Sequence, residues 1–148
     1  MGGWGPNSSS KCQRKNGASL SYAIVGEKYS WTHTRPFVFL DWDQTETTFE
    51  LDHMISPEVA VVVFNVKATG YFRVNYDEAS WRRIAETLKK DKKLIHPLNR
   101  KQILYDLMAL AKFGKVSKTI VDLFREVFPE LNDPKEKGGD YSNFRLFK

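Results

Sequence analysis

Gly70-Tyr71-Phe72-Arg73-Val74-Asn75-Tyr76-Asp77, running on into Glu78-Ala79-Ser80-Trp81, is the stretch where this chain changes its period. From Tyr71 to Tyr76, the apolar Phe72, Val74 and Tyr76 alternate against Tyr71, Arg73 and Asn75. That is the two-residue repeat of a half-buried strand. Beyond Asp77, residues Trp81, Ile84, Ala85 and Leu88 fall at i, i+3, i+4 and i+7, the stripe of an amphipathic helix. Asp77 is a suitable N-cap between the two regimes, and Glu78 suits the positive end of a helix.

Downstream, the helical period persists. Lys89–Lys93 bring cations to the end of the first helix. Pro97 opens a second helix at its first position. Ile103, Leu104, Leu107, Met108 and Ala111 form its apolar stripe, and Gly114 ends it. Ser117 caps a third helix with the stripe Ile120, Val121, Phe124, Val127 and Phe128, and Pro129 stops it. Upstream, the signals are those of short strands: Leu20–Val25, Phe37–Leu40, Thr47–Leu51 and Val59–Val66. Gly70 is a natural hairpin position between the last of these and Tyr71–Tyr76. The expected fold is therefore α+β. A partial antiparallel β-sandwich over residues 20–76 is followed by about three α-helices over 77–128 that start a helical-repeat domain. Residues 1–19, rich in Gly, Ser and Asn, read as a flexible tail, and 129–148 as an irregular one.

The 148 residues are 41% hydrophobic and 14% aromatic, enough to bury a core, which excludes wholesale disorder. Cys12 is the one cysteine, so neither an intrachain disulfide nor a Cys-based zinc site can be built. The start of the sequence shows no apolar core of a signal peptide. The longest apolar run, Val59–Phe64, is too short to span a membrane. Asn7-Ser8-Ser9 is a glycosylation triplet that matters only in a secreted chain.

Candidate chemistry is sparse. His33, His53 and His96 stand at no metal-binding spacing, and Asp52 next to His53 points to the opposite face of a strand. Asp41, Asp43, Glu46 and Glu50 around Trp42 read as a solvated loop. Ser21, Ser30, Ser56, Ser80 and Ser117 lack a nucleophile elbow, and no phosphate or dinucleotide loop is present. The net charge is +5, and Lys89, Lys90, Lys92 and Lys93 with Arg82 and Arg83 form the best basic patch. Asp91 interrupts it at a helix end, so nucleic acid is not the expected partner.

Phe64-Asn65-Val66-Lys67-Ala68-Thr69-Gly70-Tyr71-Phe72-Arg73-Val74-Asn75-Tyr76-Asp77 resembles the FNxxxTGYYRVNYD pattern of the aminopeptidase N family of zinc aminopeptidases. Trp81 matches the aromatic that follows. Asn99-Arg100, Gln102-Ile103-Leu104 and Asp106, with Leu110-Ala111 and Gly114, resemble that family's NRxQLLDDxxxLA stretch, with Tyr105 in place of the first Asp. Ser21-Tyr22 and Thr34-Arg35-Pro36 are more weakly similar. The resemblance covers about residues 20–128. It implies the last strand of a β-sandwich leading into a large helical domain. The motif residues Gly70, Tyr71, Arg73, Val74, Asn75, Tyr76, Asp77, Trp81, Asn99, Arg100, Gln102 and Asp106 are implied to be structural.

The family's activity, release of N-terminal amino acids from peptides by a zinc-bound water, depends on GxMEN, HExxH with a distal Glu, and a catalytic Tyr. Neither GxMEN nor HExxH occurs here, and Tyr71 and Tyr76 do not match the catalytic Tyr. No catalytic, metal or cofactor residue carries over. The expectation is a non-catalytic chain of aminopeptidase type without zinc of its own. The alternative is an interaction module that uses open sheet edges and apolar helix faces. Its partner would be the catalytic domain of a related aminopeptidase, or a second copy. A basic nucleic-acid-binding module is the weaker alternative. The family includes membrane ectoenzymes and cytosolic members, so the compartment stays open.

Overall fold

The computed structural model describes residues 17–26, 30–32, 34–36, 38–41, 43, 46, 48 and 61–132. In chain order they form β1 (Gly17–Leu20), β2 (Tyr22–Ile24), a 3-10 turn at Ser30–Thr32, β3 (Val38–Asp41) and β4 (Val62–Phe64). A 3-10 turn at Val66–Ala68 then leads to α1 (Glu78–Lys90), a turn at Lys92–Leu94, α2 (Pro97–Lys112), α3 (Lys118–Val127) and a last turn at Pro129–Asn132. The fold is α+β, strands first and helices after. The tail and strand readings that fall on 1–16, 49–60 and 133–148 lie outside the described residues, as do His33, Trp42, Glu50 and His53. β1 begins at Gly17, inside the stretch read as a tail.

The described strands do not by themselves make up the expected sandwich. Among the described residues they make two separate two-stranded antiparallel sheets, β1 with β3 and β2 with β4. The single run Leu20–Val25 is in fact divided at Ser21, which is 2% exposed. The carbonyl of Ser21 accepts the Asn65 N–H at 2.8 Å and its Oγ accepts the Val66 N–H at 2.9 Å. One residue thus moves the chain from one sheet to the other and satisfies two backbone donors of the loop after β4.

Tyr71–Tyr76 is the larger correction. The segment is not a strand, bending at Gly70–Phe72, and no hairpin forms there among the described residues. Its two-residue period is still visible in burial: Phe72, Val74 and Tyr76 are half-buried, while Tyr71, Arg73 and Asn75 are exposed. Alternation reports which face meets the core, not whether a neighbour completes a ladder. Here a side chain, rather than a second strand, takes the Val74 N–H, which Asp106 Oδ2 accepts at 3.0 Å.

The helices follow their capping chemistry. Ser117 Oγ accepts the Ile120 N–H at 3.4 Å, and α2 begins at Pro97. The end of α2 is a Schellman motif: Gly114 N–H bonds the Ala111 carbonyl at 3.0 Å and Lys115 N–H the Leu110 carbonyl at 2.9 Å, with Gly114 at φ +68°. Asp77 occupies the N-cap position of α1, but its side chain makes no capping bond. Trp81, Ile84, Ala85 and Leu88 of α1 pack with Ile103, Leu104 and Leu107 of α2, with Ile120, Val121, Phe124 and Val127 of α3, and with Phe128 just past its end, in one core. Met108 and Ala111, expected in the stripe of α2, are only half-buried. Rings stitch the strand side to the helices. Phe64 lies 6.2 Å from Tyr76, Tyr76 edge-on 5.0 Å from Trp81, and Trp81 edge-on 5.6 Å from Phe124. Stacked and edge-to-face pairs of this kind add about 0.5–1.5 kcal/mol each beyond area burial.

Candidate functional site

The most concentrated polar chemistry lies on α2. Asn99, Gln102 and Asp106 are spaced i, i+3 and i+7, one face of a helix. Asn99 and Asp106 are buried, at 0% and 4% exposure. A buried polar face needs partners, and the backbone of residues 65–74 supplies them.

Asn65 begins the contact. It adopts a left-handed conformation, φ 60° and ψ 63°, which Asn tolerates better than most residues. Its side-chain amide closes a loop onto Gly70: Oδ1 accepts the Gly70 N–H at 2.8 Å and Nδ2 donates to the Gly70 carbonyl at 3.0 Å. Its own carbonyl accepts from Asn99 Nδ2 at 2.9 Å, and Asn99 Oδ1 accepts the Lys67 N–H at 2.7 Å. A Cβ added at Gly70 would collide with the Phe72 ring and sit 3.2 Å from Asn65 Oδ1. Asn65 belongs to the quoted family pattern but stands outside the motif residues implied to be structural, and its bonds to Gly70 give it that role. The signal was present in an Asn five residues before a Gly.

Asp106 receives the next part of the chain. Its Oδ2 accepts the Val74 N–H at 3.0 Å and Gln102 Nε2 at 3.4 Å, while Oδ1 accepts from Arg73 Nη1 at 3.4 Å. Burial pushes its pKa above the usual carboxylate value. The Val74 N–H, the Arg73 charge and the Gln102 amide pull the other way. Gln102 also accepts from Asn99 Nδ2 at 3.1 Å, so the three α2 side chains form one chain of bonds.

The remaining motif residues extend this clip. Asn75 Oδ1 accepts the Trp81 indole N–H at 3.0 Å, and its Nδ2 donates to the Lys115 carbonyl at 3.4 Å. Tyr76 OH accepts the Phe64 N–H at 3.1 Å. Burial raises the Tyr76 phenol well above its ordinary value, so it stays neutral. The Asp77 carbonyl accepts the Trp81 N–H at 2.9 Å. Arg100 is 9% exposed, and its pKa is lowered by burial while Asp91 opposes the shift. Tyr71 is fully exposed.

Several described side chains of chemically capable types hold structure. Ser21 and Ser117 bond backbone N–H groups. Asp41 and Asp43 are exposed, with Asp43 N–H on Asp41 Oδ1 at 3.3 Å in the loop after β3. Lys92 lies over the Phe128 ring at 4.7 Å, and the Asp91 carboxylate accepts the Lys93 N–H at 2.9 Å. The family's zinc therefore has no fitting donor set among the described residues, where no group of three or more His, Cys, Asp or Glu gathers. No described helix is long and apolar enough to cross a membrane.

Residues 61–132, which carry this clip and all three helices, match the model of the ERAP1-like C-terminal domain family. The chain is 38% identical over 79 residues to aminopeptidase N of Rattus norvegicus, covering 53% of this chain and 8% of the relative. It is 31% identical over 108 residues to aminopeptidase N of Plutella xylostella, covering 72% of this chain and 11% of the relative. Aminopeptidase Q of Homo sapiens is 35% identical over 79 residues, 53% of this chain and 8% of the relative. The chain thus spans about a tenth of the length of these relatives. By a partial match that runs from the strands into a C-terminal helical domain, the chain belongs to the aminopeptidase N family.

Proposed function

We propose that this chain is a non-catalytic structural part of an aminopeptidase-type protein, a joint that fixes the start of the helical domain against the strands before it. The observation that carries this reading is the clip. Asn99, Gln102 and Asp106 spend their hydrogen-bonding capacity on the backbone and side chains of residues 65–74, leaving them no freedom to act on a substrate. The activity of the parent type is release of N-terminal amino acids through a zinc-bound water, and the HExxH and GxMEN motifs for it do not occur in the 148 residues. The purified chain is expected to hold no stoichiometric zinc by elemental analysis and to leave aminoacyl chromogenic substrates uncleaved. Chelator-sensitive turnover that copurifies with the chain would overturn the proposal.

A second reading is favoured by the exposure of Tyr71, Leu98 and Phe113, three large apolar side chains on the clip segment and at the two ends of α2. Such residues suit contact with another chain, either a related catalytic domain or a second copy. Sedimentation of the chain alone and with a related full-length aminopeptidase distinguishes the outcomes. An inert monomer in both runs removes the interaction reading.

A further inference from the structure

The first residue of α2 has no N–H, because it is Pro97, so Leu98 carries the first backbone donor of the helix. His96 is the N-cap. Its Nδ1 accepts the Leu98 N–H at 3.2 Å, and its carbonyl accepts the Arg100 N–H at 2.9 Å. The imidazole also lies 6.3 Å from the Trp31 ring, centroid to centroid, which ties the turn at Ser30–Thr32 to the helix. Two cations act on it: Lys67, from the turn that α2 clips through Asn99, and Arg100, one turn along its own helix. Asp91, at the start of the Lys92–Leu94 turn, acts on Arg100.

We propose that His96 is an acid-labile latch: protonation at Nδ1 releases the Leu98 N–H and loosens the start of α2 from Trp31 and from the Lys67 turn. Nδ1 can accept a hydrogen bond only in the neutral imidazole, since both nitrogens of the imidazolium are donors. A cation at this place also faces the positive end of the helix dipole, with Lys67 and Arg100 repelling it. Burial, then Lys67, then Arg100 hold His96 below its ordinary value of 6.5. The unfolded chain therefore binds the proton more readily than the folded one. The stabilising contribution of the cap is complete above 6.5 and is lost as pH falls through the folded-state value.

The test compares the full chain with His96→Asn, which keeps a neutral cap acceptor that does not titrate. Urea midpoints are measured at about pH 7.5 and about pH 5.5, a window in which histidine is the side chain that changes charge. The two proteins are expected to match at the higher pH, and the parent chain to lose clearly more at the lower. His33 and His53 occur in both proteins and cancel in the comparison. Equal losses would overturn the latch. Should the variant fold poorly, an NMR titration of the parent chain decides. The His96 ring and the Leu98 amide are expected to shift together with a midpoint below 6.5. A midpoint at or above that value, or a Leu98 amide that does not follow, overturns it.

Discussion

Asp106 gathers three donors, the Val74 N–H, Gln102 Nε2 and Arg73 Nη1, while only 4% exposed. These contacts are unequal. The Arg73 side chain is 59% exposed, so its ion pair is screened and is expected to stabilise by under about 1 kcal/mol. The Val74 N–H is partly buried, and stranding it costs about 1–3 kcal/mol. Asp106→Ala is therefore expected to lower unfolding free energy by that amount in urea titration, and Arg73→Ala by clearly less. Asp106→Asn keeps an acceptor for Val74 and falls between them. If Arg73→Ala were as damaging as Asp106→Ala, the pair rather than the backbone bond would be the main contribution. Burial raises the Asp106 pKa, so the folded state favours its neutral form. The sign follows: this group's contribution is fully present below its unfolded value and is lost as pH rises through the folded one. Asp106→Asn removes that dependence, and proton uptake measured across the acid range checks it.

At the scale of elements, the helix ends separate local chemistry from tertiary position. Ser117 caps α3 with its hydroxyl, whereas Asp77 stands at the N-cap of α1 without a side-chain bond. Ser117→Ala is expected to cost about 1 kcal/mol. Asp77→Ala loses only the attraction of a charge for the helix dipole, about 0.3–1 kcal/mol at low salt. Adding salt shrinks the second effect and leaves the first, which thermal unfolding at two ionic strengths resolves. Gly114 closes α2 at φ +68° with open space around a would-be Cβ. Gly114→Ala meets no clash, so its expected loss of about 1–2 kcal/mol is backbone strain alone. Among the described residues, the left-handed positions other than glycine, Asn65, Lys67 and Ala68, all lie between β4 and α1. Their conformations persist because Ser21, Asn65 and Asn99 bond the chain on both sides.

For the whole molecule, the decisive contact is the run of rings Phe64, Tyr76, Trp81 and Phe124, which joins strand, connecting segment, α1 and α3. Trp81 is 1% exposed and also donates to Asn75. Trp81→Ala is expected to cost about 3–5 kcal/mol, enough to threaten a small domain's entire stability. Calorimetry should show the cooperative transition weakened or lost. Trp81→Phe retains much of the ring packing and costs less. The sequence by itself determined the three helices, the Pro97, Gly114 and Ser117 punctuation and the face alternation of Tyr71–Tyr76. It also carried the family resemblance in the GYFRVNYD stretch, which the comparisons bear out. Those signals are local, because caps and stripes are set by residues within a turn or two. Only the tertiary structure decided that Tyr71–Tyr76 has no strand partner among the described residues, that Ser21 divides one apolar run between two sheets, and that His96 caps α2. The physical reason is distance along the chain. Val74 finds its acceptor 32 residues away on Asp106, and Val66 finds Ser21 45 residues away. An extended backbone leaves its hydrogen bonds open to any partner the fold brings near, so periodicity fixes its faces and packing chooses its partners.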